Sequence, residues 1–163
     1  MKNHSRDLEY LAQLRTQAYD THSKGSAPDP MPNMYCINLL SSEIKLNPGN
    51  AFSCFLIVQH TKDPTIIQRI ARQMLSAGCR NFVFYGKHEP LWHAGFDDMD
   101  TLLNPDAEAE DVALTSGSST LEDFVDELSL ELSWYHSEPY DILLLYDDNA
   151  VFERTLSMLQ DTD

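Results

Sequence analysis

Residues 52–60 read FSCFLIVQH, a nearly unbroken apolar run. A strand wetted on one face alternates apolar with polar residues. A continuous run signals cover on both faces, as in a parallel sheet flanked by helices. The next segment, KDPTIIQRIARQMLSAGC, changes period. Ile66, Ile67, Ile70, Met74 and Leu75 form one helical stripe, and Arg69, Arg72 and Gln73 lie away from it. Asp63 is placed to cap this helix, Pro64 suits its first turn, and Gly78 ends it.

The same strand-then-helix unit recurs along the chain. MYCINLL (34–40) and NFVFYG (81–86) read as strands, VALTSG (112–117) as a weaker one, and YDILLLYD (140–147) as the last. A helix after residue 86 places Leu91, Trp92, Phe96, Met99, Leu102 and Leu103 inward. In SSTLEDFVDELSLELSWY, Ser119 and Glu122 are spaced as a capping box, ahead of a stripe of Leu121, Phe124, Val125, Leu128, Leu132 and Tyr135. Trp92, Trp134, Tyr135 and Tyr140 fall at core or near-core positions. Asn149 can cap a terminal helix with Val151, Phe152, Leu156 and Leu159 inward. Asn47-Pro48-Gly49 is a turn signal that suggests a short hairpin. The predicted fold class is α/β: a three-layer sandwich with a mostly parallel sheet of about five strands and helices on both faces. Two segments are predicted. Residues 1–33 comprise an amphipathic helix (5–21) and a Pro/Gly/Ser linker, and residues 34–163 form a single α/β domain.

Charge is the strongest functional signal. The formal net charge is −15. Residues 1–96 hold ten Lys/Arg against seven Asp/Glu, a net of +3; residues 97–163 hold Arg154 alone against nineteen acids, a net of −18. A half this acidic repels nucleic acid and anionic lipid and attracts cationic surfaces. The plainer alternative is that the acids serve solubility. No apolar run approaches the roughly 20 residues that span a bilayer. The polar start reads as lacking a signal peptide. Cys36, Cys54 and Cys79 are an odd set with no zinc-motif spacing, so reduced core thiols in a cytoplasmic protein are expected.

The stretch KHEPLWHAGFDDMD (87–100) nearly imitates a zinc-protease helix. That motif needs two histidines four apart on one helix face. His88 and His93 are five apart with Pro90 between them, so no zinc site is expected. His93, Asp97 and Asp100 line up at i, i+4 and i+7, and a His93–Asp97 pair is expected. Asp97, Asp98 and Asp100 lack the glycine and distal glutamate of a calcium loop. The longer stretch SAGCRNFVFYGKHEPLWHAGFDDMD resembles an uncharacterised bacterial family of small α/β domains. That family's pattern is a helix ending in Ser-Gly-Cys-Arg, a buried strand ending in glycine, then Trp-His-Asp and a later Asp. Gly78, Cys79, Arg80, Gly86, Trp92, His93 and Asp97 match it, and Ala94 stands where the family tends to have Asp. The resemblance covers roughly residues 52–147 and implies the fold, with no activity attached.

Open parallel sheets bind ligands beyond the carboxyl ends of their strands. Here those ends carry His60 and Thr61; Gly86, Lys87 and His88; Ser116, Gly117 and Ser118; and Asp147 and Asp148. His60 or His88 as base and Asp147 as orienter are the candidate catalytic residues. LTSGSST lacks the spacing of a nucleophile elbow, and SGSS lacks the lysine of a phosphate-binding loop. Two function classes follow. The first is an acidic, non-catalytic protein that docks on a basic protein partner. Its concrete form is an immunity or antitoxin-type protein facing a cationic toxin, with Asp97, Asp100, Glu122, Asp123, Asp126, Glu127 and Glu131 as binding residues. The second is a small enzyme or nucleotide-binding domain with its site at the strand ends. A nucleic-acid mimic differs from the first only in its target. No cofactor, nucleic acid or membrane is expected as partner.

Overall fold

A computed structural model describes residues 32–41, 44, 46 and 51–161. The helix expected at 5–21, most of the linker after it and the Asn47-Pro48-Gly49 turn lie outside the described residues. Five strands form one sheet: β1 (Asn33–Asn38), β2 (Ala51–Ile57), β3 (Asn81–Tyr85), β4 (Leu114–Gly117) and β5 (Tyr140–Tyr146). Four helices accompany them: α1 (Pro64–Ser76), α2 (Glu89–Leu103), α3 (Leu121–Ser133) and α4 (Asn149–Asp161). The sheet order is β1-β5-β2-β3-β4, and every pairing is parallel.

The three layers follow from which side chains each strand turns up or down. Cys54 and Leu56 of β2 and Phe82 and Phe84 of β3 face α1 and α2, where they meet Ile70, Met74, Trp92 and Phe96. Phe55, Ile57, Val83, Ile142 and Leu144 face α3 and α4, where they meet Phe124, Leu128 and Phe152. The central strands are therefore apolar at consecutive positions, as the unbroken run at 52–60 requires. Rings set much of this packing. Phe82 and Phe84 contact Phe96 edge-on at 4.8 and 5.0 Å, and Phe55 contacts Phe124 at 5.7 Å. Each such side chain, fully buried, contributes about 1.5–3 kcal/mol.

Among the described residues β1 and β2 are not neighbours, because β5 lies between them. β2 pairs with β5 along Ala51–Ile57 and with β3 along Cys54–Ile57. Two helix starts differ from expectation. Thr120, not Ser119, caps α3 by accepting from the Asp123 amide, and Asp148, not Asn149, accepts from the Val151 amide ahead of α4. In α2 the seam of Trp92, Phe96, Met99 and Leu103 sets the inward direction. Leu91 and Leu102 sit one residue off that seam, about 100° around the helix, and are exposed. Tyr135 drops out of the α3 stripe because the helix stops at Ser133. Trp134 is already extended, at φ −76° and ψ 135°, so helical periodicity no longer sets the direction of Tyr135. Trp134 and Tyr135 are 60% and 54% exposed, unlike the core Trp92.

α1 matches its sequence signals closely. The Asp63 carboxylate accepts from the Thr65 amide, Pro64 opens the helix, and Gly78 beyond its end has φ +97°. All three cysteines are buried and none is in a disulfide. Among the described residues no helix is long and apolar enough to cross a membrane.

Candidate functional site

β2 leads to α1 on one face of the sheet, while its neighbour β5 leads to α4 on the other. Connections that diverge between adjacent parallel strands open the crevice where such folds bind ligands. Two of the candidate catalytic residues, His60 and Asp147, lie at this point. The Asp147 carboxylate accepts three backbone hydrogen bonds from the β2–α1 loop: Gln59 N at 2.8 Å, His60 N at 2.9 Å and Thr61 N at 2.7 Å. Successive amides pointing one way form an anion nest. Here the chain's own carboxylate occupies it.

The same loop is held from its other sides. The Trp92 indole donates to Thr61 O at 2.7 Å, and Gln59 Oε1 accepts from the Lys87 amide at 2.9 Å. The His60 ring pairs with Asp148 at 2.7 Å, not with Asp147. Asp148 also accepts from the Val151 amide, and that bond is the main reason its carboxyl lies below the usual carboxylate range; His60 adds to it. His88 begins α2. Its amide donates to Val58 O at 3.0 Å, and its ring makes no capping bond. His60, His88 and Asp147 thus each serve a different local partner. An open groove of roughly 450 Å³ lies at the other end of the strands, lined by Arg80, Asn104, Pro105, Asp106, Ala107 and Asp111.

His93 carries the network expected of it and more. Nδ1 lies 3.2 Å from Glu89 Oε1, Nε2 lies 2.8 Å from Thr115 Oγ1, and Asp97 Oδ2 is 3.6 Å away. Thr115 donates its single hydroxyl hydrogen to Asp97 at 2.7 Å. That hydrogen is then not available to the imidazole, so the threonine is placed as a tie between α2 and the edge strand β4 rather than as a nucleophile. The Glu89–His93 spacing was visible as i, i+4; Thr115 was not, because it arrives from another element. Among the described residues no three His, Cys, Asp or Glu side chains are placed to hold a metal ion.

The seven candidate docking acids differ in exposure and in place. Asp100 is only 6% exposed; its carboxylate pairs with Arg80 at 3.0 Å and accepts from Asn104 Nδ2 and the Ala113 amide. Glu131 is half-buried and accepts from Ser53 Oγ at 3.0 Å; Ser53 in turn hydrogen-bonds the Tyr140 hydroxyl. Glu122, Asp123, Asp126 and Glu127 stand exposed along the outer side of α3. Asp97, exposed on α2, belongs to the opposite face of the sheet. The ion pairs among the described residues involve Asp148, Asp100, Glu89 and Asp97, so none reaches the exposed acids of α3. Exposed Arg69 and Arg72 sit on α1, across the sheet from α3.

No protein-family model matches the chain, and no curated protein matches it either.

Proposed function

We propose that the protein is an acidic, non-catalytic binding protein that docks on a basic protein partner through the outer side of α3. The observation that carries this reading is the row Glu122, Asp123, Asp126 and Glu127: four exposed carboxylates on one helix, with no cation paired to them among the described residues. Separated like charges cost the folded chain little in water, and they accelerate encounter with a cationic surface. The strand-end crevice offers less to a ligand, because Asp147 fills its amide nest. In its concrete form the protein is an immunity-type factor that neutralises a cationic toxin. Three buried thiols outside any disulfide fit a reducing, cytoplasmic setting.

The test is affinity capture from the native host. The bait is the native chain, compared with a variant carrying Glu122→Gln, Asp123→Asn, Asp126→Asn and Glu127→Gln. A basic protein held by the native chain, released by salt and lost with the variant is the expected result. Equal capture by both, or a partner indifferent to salt, overturns the reading.

A further inference from the structure

The outer side of α3 is not uniformly acidic. Asp123 and Glu127 are followed, at helical spacing, by Leu130 and then Trp134, with Tyr135 beside it. Leu130 is 62% exposed, and the two rings are exposed by more than half. Aromatic residues are enriched at protein interfaces, and two exposed ones in succession mark this helix end as a contact surface. The helix also ends here. Its last turn carries no basic residue, so the negative pole of the backbone dipole is left uncompensated beside the rings. Asp123 and Glu127 crowd one another two to three turns upstream. Desolvation chiefly, and then the Asp123 charge, raise the Glu127 carboxyl above its usual range. A like-charged pair at i, i+4 is a small strain that an incoming cation relieves.

These features select among cations. A lysine ammonium is a compact, strongly hydrated charge. An arginine guanidinium is flat, sheds water more readily, stacks on aromatic faces and bonds a carboxylate through two parallel N–H groups. We infer that Trp134 and Tyr135, at the carboxyl end of acidic α3, form an arginine-selective platform, on which an arginine-bearing, partly apolar segment of a protein partner stacks while its aliphatic side chains cover Leu130. This rests on the acidic-docking reading above and deepens it by naming what the partner presents.

The experiment uses two short amphipathic peptides, identical except for arginine or lysine at their cationic positions. Fluorescence anisotropy of the labelled peptides reads binding to the full chain and to a Trp134→Leu/Tyr135→Leu variant. Both substitutions fall at exposed positions, and circular dichroism verifies that the variant is folded. The native chain is expected to bind the arginine peptide about fivefold tighter than the lysine one, and the variant is expected to bind both alike. Equal binding by the native chain overturns the platform while leaving salt-sensitive acidic docking in place; binding of neither peptide removes both. A preference that survives in the variant also overturns the platform. So does Trp134 emission that is already blue-shifted and shielded from acrylamide in the isolated chain, for then the chain's own residues occupy the site. Trp92, fully buried, supplies the shielded reference.

Discussion

Asp147→Ala tests the account of the crevice. The substitution removes one carboxylate and strands three amides, those of Gln59, His60 and Thr61. Losing a hydrogen bond to a charged group costs about 1.5–3 kcal/mol. The three bonds share a single acceptor, and His60 is exposed, so water re-enters part of the nest. The combined cost is then about 2–4 kcal/mol, not the sum of three full losses. For a domain of this size that lowers Tm by roughly 8–16 °C. Asp147→Asn keeps one carbonyl oxygen but turns an NH2 group toward donors, and a loss of about half as much is expected. Thermal unfolding followed by circular dichroism reads both variants. An alanine variant melting within about 2 °C of the native chain would refute the reasoning, since the nest would then be no part of what holds β5 to the β2–α1 loop.

Other outcomes follow from single groups. Gly86 has φ +132°, and a Cβ there would sit 2.6 Å from Val58 O, so Gly86→Ala is expected to cost about 3 kcal/mol or more in a urea titration. An unchanged urea midpoint would mean the turn relaxes freely. Burial is the main cause that pushes the Tyr140 hydroxyl up to about 12. A proton held more tightly in the folded chain stabilises it below the ordinary tyrosine value near 10, and that contribution fades as pH rises from about 10 to 12. An absorbance titration at alkaline pH is expected to show at least one tyrosine ionising late, lost in a Tyr140→Phe variant; seven ordinary titrations would contradict this. Burial likewise lifts the Cys79 thiol to about 12 and raises Cys54. A thiol reagent is therefore expected to label no cysteine in the native chain and all three after unfolding.

Much of the fold could be read one element at a time. Asp63, Pro64 and Gly78 bound α1 because caps and turns are chemistry between near neighbours. The run at 52–60 announces a doubly covered strand because burial on both faces leaves its mark on every residue. Relations between distant elements left no such mark. Nothing local in YDILLLYD says that β5 slips between β1 and β2. Asp147 looked like an orienter for a base, yet its partners are amides 86 to 88 positions earlier in the chain. Asp100 looked like another exposed acid of a charged helix, yet Arg80 and the Ala113 amide draw it inward. Tyr135 looked like core because it continues a stripe, and the helix end at Ser133 releases it to solvent.

The central claim is that the acids of α3 guide the protein to something positive. The most direct measurement is the association rate of the captured partner across a salt series, for the native chain and for the variant with α3 neutralised. The native rate is expected to fall steeply as salt rises, and the variant to be about tenfold slower at low salt with a flatter dependence. Superimposable rates for the two proteins at every salt concentration would contradict the claim.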